Sequence, residues 1–289
     1  MRIAVVATGE MGAGIAARLQ ARGADVFTSL AGRSEASRAR ARAGGISVID
    51  DDAALIAAVE IFLSVVPPDR ARALAERFAP GLAHAGGRIL YADCNAVAPE
   101  TVRAIAKIVE AAGAPFVDAG IIGGPPKGDD AGPRLYASGE GAQRLAELKR
   151  FGLDVRPMEG GVGAASALKL SYAALTKGLT ALGVAAGQGA AAGGVAGALA
   201  AELASSQPEM LAWLVRGVPR MYPKAYRFVG EMEEIARFLG DAGAAQMFLG
   251  AAGAYEEVAS AWSEAGAEAP LLRGLGAVFD ERRAKERAA

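Results

Sequence analysis

Two stretches near the N-terminus carry residue types that could hold a nucleotide. Ala7-Thr8-Gly9-Glu10-Met11-Gly12 follows the apolar run Ile3-Ala4-Val5-Val6 and precedes a helical stretch. Gly9 would let the backbone approach a pyrophosphate, and Gly12 would let the next helix pack closely on a sheet. The helix N-terminus would add amide donors and the positive end of its dipole, with Thr8, Glu10 and Met11 lining the loop. Ala7 stands where the dinucleotide fingerprint usually has its first Gly. A merely structural turn is the alternative, but the strand-loop-helix setting favours the phosphate. The second stretch is Thr28-Ser29-Leu30-Ala31-Gly32-Arg33-Ser34. An NAD site usually offers Asp or Glu here to hold the ribose hydroxyls, and this stretch has no acid. Arg33 could pair with a 2′-phosphate through its planar fork or stack on adenine, with Ser29 or Ser34 donating to the phosphate. NADP is therefore the expected cofactor, with NAD as the alternative. The plain structural reading of Arg33 is a solvated residue at a helix start.

Composition excludes much else. One Cys and one His among 289 residues rule out an internal disulfide and argue against a His/Cys metal cluster. A Ser-His-Asp hydrolase would have to use His84, whose small-residue surroundings Gly81 to Gly86 read as a surface helix end. With 31 basic and 32 acidic residues, a net charge of -1, neither nucleic acid nor an anionic membrane is expected as a partner. Met1 to Val6 is too short for the apolar part of a signal peptide, and Gly9-Glu10 interrupts it. Gly178 to Ala201 is uncharged and long enough to span a bilayer. Its Ala and Gly supply little transfer free energy, so a buried helix is expected, and a cytoplasmic protein.

The elements that must position these residues follow from pattern. Strands are expected at 3–6, 25–28, 46–49, 61–66, 88–91 and 115–118, apolar on both faces as buried parallel strands should be. Helices are expected between them, at 12–21, 35–43, from Pro68 to about Phe78, and at 99–112. This alternation predicts an α/β Rossmann-type doubly wound sheet over residues 1–160. After Gly163 only helical stretches follow, so residues 161–289 are expected to form an all-helical substrate and dimerisation domain. The last ten residues, Asp280 to Ala289, read as a solvated helix end.

At this point the chain resembles the β-hydroxyacid dehydrogenases, which include 3-hydroxyisobutyrate dehydrogenase and, more distantly, 6-phosphogluconate dehydrogenase and the imine reductases. Gly9-Glu10-Met11-Gly12 resembles their Gly-x-Met-Gly signature. Val65-Val66-Pro67-Pro68 resembles the strand end beside the cofactor, and Asp93-Cys94-Asn95-Ala96-Val97-Ala98-Pro99 the Asp-x-Ser-Thr-x-x-Pro stretch near the nicotinamide. Asp118-Ala119-Gly120-Ile121-Ile122-Gly123-Gly124 resembles the substrate loop Asp-Ala-Pro-Val-Ser-Gly-Gly. Gly161-Val162-Gly163 followed by Lys169 resembles the Gly-x-Gly…Lys that carries the catalytic lysine. Pro223 to Ile235 resembles a branch with a phosphogluconate-dehydrogenase-like C-terminal domain. There are departures. Ile122 replaces the Ser that helps hold a substrate carboxylate. Tyr172 and Ala173 stand where Asn is expected, and the spacing from Gly163 to Lys169 is two residues longer than usual.

The resemblance implies an NADP-dependent oxidoreductase acting on a small hydroxy or carbonyl compound, with Lys169 as general acid/base. Lys169, Tyr172 and Thr176 share a helix face, with Ser166 one turn earlier. Tyr172 could hydrogen-bond the substrate or the lysine. Ile122, Gly123 and Gly124 line the expected substrate loop, where Gly amides could face the substrate or serve a turn. Val66, Pro67 and Asn95 are expected beside the cofactor. Asn95 could equally be a strand-end turn residue. Cys94 reads as a small filler and Asp118 as a turn cap or loop base. Lys177 is the alternative to Lys169, and Tyr226 and Arg227 are weaker substrate candidates. Imine reductases usually lack the lysine, so Lys169 favours C–O over C–N chemistry. The remaining reading is a non-catalytic NADP-binding sensor. A homodimer is expected through residues after Gly163. Leu170 to Ala201 carries just one charge, Lys177, and Gly183, Gly187, Ala190 and Gly194 would admit a close helix.

Overall fold

The computed structural model describes residues 1–128, 130–240 and 243–280. The chain divides into two compact units, Met1–Leu170 and Ser171–Ala289. Residues 281–289, nearly all of the expected solvated helix end, lie outside the described residues.

The first unit is built on one sheet. Its parallel strands are β1 (Arg2–Val6), β2 (Asp25–Thr28), β3 (Ser47–Val48), β4 (Ile61–Ser64), β5 (Leu90–Asp93) and β6 (Phe116–Ile122). β7 (Arg134–Ser138) runs antiparallel to β6, and β8 (Asp154–Pro157) parallel to β7. The order is β3-β2-β1-β4-β5-β6-β7-β8, so the order of strand addition reverses between β1 and β4. The helices of this unit are α1 (Glu10–Ala21), α2 (Glu35–Ala43), α3 (Asp52–Ala58), α4 (Pro68–His84), α5 (Pro99–Ala111) and α6 (Ala142–Leu145). Side chains alternate across the sheet. Ile3, Val5, Ile61, Leu63, Leu90, Ala92, Val117 and Ala119 build one core. Ala4, Phe62, Tyr91 and Phe116 build the other, where Phe62 stacks on Tyr91 at 5.0 Å and Tyr91 on Phe116 at 5.9 Å. Helices on both faces account for strands that are apolar throughout.

Local chemistry sets the helix starts. Pro occupies the first turn of α4 and α5, where its missing N–H costs nothing. Ser34 and Asp51 cap α2 and α3 by accepting the amides of Ser37 and Ala54. α4 runs past the expected stop at Phe78, through Pro80, to His84. Its buried stripe Leu74, Phe78, Leu82 continues beyond the proline, and packing overrides the lost hydrogen bond. His84 ends this helix exposed, with Nδ1 2.7 Å from the Pro80 carbonyl. β5 lies two residues later than expected. β6 runs on to Ile122 because Gly120 to Ile122 pair with β7. β7 and β8 were not expected. β7 alternates instead of running apolar, and β8 has a single fully buried residue, Val155.

The second unit is helical. α7 (Ala164–Ala192) begins in the first unit and continues into the second, followed by α8 (Ala196–Ser206), α9 (Pro208–Met221), α10 (Ala225–Leu239), α11 (Gly243–Ala265) and α12 (Pro270–Phe279). The small residues of α7 serve helices of the same chain. A Cβ on Gly183 would lie 2.6 Å from Leu214 of α9, and one on Gly187 2.8 Å from Leu275 of α12. The uncharged stretch 178–201 is broken at Gly193-Gly194, where Gly194 takes a φ of 71°. Among the described residues no helix is long and apolar enough to cross a membrane.

Candidate active site

β1 ends at Val6 and α1 begins at Glu10, with Ala7, Thr8 and Gly9 between. Ala7 N donates to Val65 O at 3.1 Å, which ties the loop to the β4 side of the reversal. Gly9 is the N-cap of α1, has no side chain to cap it, and a Cβ there would meet nothing within 4 Å. Gly12 has no such room, since a Cβ would fall 1.9 Å from Ala7 O. Only glycine lets the helix start this close to the loop. Thr8 is buried, and its Oγ1 donates to Ser37 O at 3.1 Å while its carbonyl accepts from Arg40 Nε at 3.0 Å. Glu10 is exposed and Met11 half-buried. An open helix N-terminus at a sheet reversal fits a dinucleotide pyrophosphate.

The loop after β2 is braced from several sides. Arg38 Nη2 donates to Leu30 O at 2.9 Å, and Leu30 N donates to Asp50 Oδ1 at 2.7 Å. Ser29 is buried and accepts from Arg77 Nη2 at 3.2 Å, while Arg77 also forks onto Asp52 at 2.6 and 2.5 Å. Ser34 spends its hydroxyl on Ser37 as the α2 cap. Arg33 is half-buried and makes no ion pair among the described residues. Burial, then the positive charges of Arg77 and Arg70, hold its guanidinium below the usual arginine pKa. A neighbourhood of three guanidinium groups favours an anion. Arg70 and Arg77 come from α4, some forty residues away in the chain, and only the fold reveals them.

Strand register lines up Val6, Ser64, Asp93, Asp118 and Ser138 across the sheet, on one face, where the parallel strands end. Asn95 braces this row. Its Nδ2 donates to Ser64 Oγ at 2.8 Å and Asp93 Oδ2 at 2.9 Å, and its Oδ1 accepts Val66 N at 2.7 Å. Its side-chain N–H groups are thus committed inside the protein, and it fixes the strand end that leads to half-buried Val66 and exposed Pro67. Burial pushes the Asp93 carboxyl up to about 7, with the Asn95 bonds acting against it and the Asp118 charge adding to it. Cys94 is buried and its thiol is pushed up by burial and then by Asp93, which makes it a poor nucleophile.

Asp118 does more than close a turn. Its Oδ2 accepts Gly163 N at 2.9 Å and Ser166 N at 3.0 Å, and its Oδ1 accepts Ser166 Oγ at 2.7 Å. Ser138 Oγ, 3.3 Å from the same carboxylate, accepts Ala165 N at 3.0 Å. Two buried side chains from β6 and β7 thus cap the start of α7. Burial raises the Asp118 carboxyl, and these hydrogen bonds oppose the shift. Lys169 lies half-buried in the second turn of α7. Tyr172, one turn on, is exposed, and its carbonyl accepts from Thr176 Oγ1 at 2.9 Å. Lys177 is occupied. Its ammonium pairs with Glu231 and lies 4.2 Å from the centre of the Phe228 ring. Ile122 is buried, Gly123 takes a φ of 124° against Pro133, and Gly124 faces open space. Tyr226 and Arg227 are exposed on α10.

Among the described residues no group of His, Cys, Asp and Glu could hold a metal ion. Residues 2–150 match the NAD binding domain of 6-phosphogluconate dehydrogenase, and residues 190–258 match a domain of unknown function, DUF1932. A Methanothermus fervidus relative, described as an uncharacterized 28.5 kDa protein in the 7S RNA 5′ region, is 29% identical over 182 residues, 63% of this chain and 68% of its own. A conserved protein of unknown function, described as structurally similar to 3-hydroxyacid dehydrogenases, superposes with a TM-score of 0.69 at 28% identity, covering 90% of this chain and 97% of its own. The Mycobacterium tuberculosis 3-hydroxyisobutyrate dehydrogenase shares the fold, with a TM-score of 0.64 at 16% identity over 96% of this chain and 97% of its own. A glycine loop at the sheet reversal and a match over half the chain lead to one assignment: the chain belongs to the β-hydroxyacid dehydrogenase family, with an NAD-binding domain of the 6-phosphogluconate dehydrogenase type.

Proposed function

We propose that the chain is an NADP-dependent oxidoreductase that interconverts a small hydroxy compound and its carbonyl, with Lys169 as general acid/base. The observation that carries this reading is that two features share one edge of one sheet. The nucleotide loop leaves after Val6, and Val6 is level with Asp118, the residue that caps the helix bearing Lys169. When bound, NADP supplies the hydride acceptor or donor. Gly9 and the first turn of α1 hold the pyrophosphate, and Arg33, with Arg70 and Arg77 nearby, attracts the 2′-phosphate. Asn95 acts indirectly by fixing Val66. Lys169 takes or returns the proton at the substrate oxygen, and Tyr172 orients it. Ile122 leaves the substrate loop without the Ser that resembling loops use for a carboxylate, so the reading favours a carbonyl substrate over a carboxylate-anchored one.

Cofactor oxidation with a panel of carbonyl compounds and of imines tests this. Lys169→Ala should lower kcat by about 10²–10⁴ with NADP affinity nearly unchanged, as expected when a general acid/base is lost. Tyr172→Phe should lower it less. Equal turnover by Lys169→Ala, or turnover of imines alone, would favour imine reduction. NADP binding without any turnover would favour a sensor.

A further inference from the structure

We propose that strand β6 is the template that places Lys169, with Asp118 and Gly120 as its positioning residues. The proposal rests on the reading of Lys169 as the proton-transfer group. Two contacts carry it. The Asp118 carboxylate, buried in β6, accepts Gly163 N, Ser166 N and Ser166 Oγ, which fixes the height and rotation of the first turn of α7. Two residues further along the same face of β6 is Gly120, where the absence of a side chain is required. A Cβ there would lie 2.7 Å from Ala165 O and 3.0 Å from Lys169 Cβ. The lysine stem is therefore set directly against the strand backbone. Ser166 and Lys169 stand three residues apart, and Ala165 and Lys169 four apart, so the cap and the contact act on one helix face.

Gly120 stands where the resembling loop has Pro, and the stretch from Gly163 to Lys169 is two residues longer. Whatever the spacing, glycine in the strand is what admits this helix face so closely, since a Cβ at Gly120 would meet Ala165 O and Lys169 Cβ. Asp118 is a positioning residue whose effect passes through the helix it caps.

The test uses the full-length protein with its lysines reductively methylated with ¹³C-formaldehyde, the Lys169 resonance being assigned by Lys169→Arg. Gly120→Ala and Ser166→Ala should both move that resonance, and Gly120→Ala should do so while hydrogen exchange at Gly163 and Ser166 stays slow. Asp118→Ala should speed exchange at those amides and bring the Lys169 resonance towards that of exposed Lys107. Asp118→Asn keeps an acceptor oxygen and should restore much of the wild-type signal. On any carbonyl that the wild type reduces, Gly120→Ala should cut kcat about ten- to a hundredfold with KM for NADP unchanged, the size expected of misplacement by a fraction of an ångström to 1 Å. An unmoved Lys169 resonance in both Gly120→Ala and Ser166→Ala, in protein that remains folded, would overturn the proposal. If the resonance moves as expected but Lys169→Ala keeps full turnover, the placement stands and the catalytic reading of Lys169 falls.

Discussion

Arg33 makes no ion pair among the described residues. Its neighbours Arg70 and Arg77 add to the positive field, each partly neutralised by its own partner, Asp69 and Asp52. An incoming phosphate would relieve that repulsion. Arg33→Asp should therefore reverse a preference for NADP over NAD, because a charge-assisted contact worth about 1.5–3 kcal/mol becomes a repulsion. Fluorescence titration with both nucleotides measures it, and tenfold or more is the expected loss for NADP. Wild-type protein that binds NAD as tightly as NADP would remove Arg33 from this role. Its sequence neighbours have other duties. Ser34 is a helix cap and Ser29 is buried against Arg77, so neither hydroxyl stands ready as the sequence suggested.

At the scale of elements, the polar row across β4, β5 and β6 titrates as part of the fold. Asp93 keeps its proton to about pH 7, whereas an unfolded Asp ionises near about 3.9. Between these values the native state binds the extra proton. The contribution of this group to stability is therefore present at low pH and lost as pH rises through about 7. Asp118, also raised, contributes a slope of the same sign. Asp93→Asn stays neutral, so its melting temperature relative to wild type should climb between pH 4 and 7 and then level off. A difference that does not change with pH would show that the row holds Asp93 ionised throughout. This row was only half legible in the sequence. Asp93, Asn95 and Asp118 each stood out, but their alignment depends on register, which no single strand reveals.

At the scale of the whole molecule, the sequence pointed to a dimer because a nearly uncharged helix needs covering. Part of that cover comes from the chain itself, since α9, α11 and α12 meet the glycines of α7. What they leave open is a set of large apolar side chains in the second unit. Leu175 is 76% exposed and Leu182 59% on α7, with Met247 63% on α11. Leu175 and Leu182 are seven residues apart and lie on one helix face. A second copy would cover them, and a two-fold dimer is the commonest closed assembly. Light scattering at micromolar concentration should give about twice 29.3 kDa. A mass that stays at 29.3 kDa on concentration would mean that the exposed stripe has another use. Leu175→Glu with Leu182→Glu should yield the monomer if the stripe is the interface.

The sequence by itself determined the α/β half, its glycine loop and the helical remainder. These rest on local signals: buried strands read as apolar runs, glycine marks a tight turn, and proline or serine marks a helix start. It could not determine β7 and β8, whose alternating or sparse apolar residues give no run to read. Nor could it find the guanidinium neighbours of Arg33, the ion pair of Lys177 with Glu231, or the carboxylate of Asp118 beneath α7. Each joins residues 37 to 54 positions apart. Such contacts depend on strand register and on how the helices pack, which only the folded chain sets. Lys169 belongs to both levels, because its motif was visible in the sequence and its seat against Gly120 was decided by the fold.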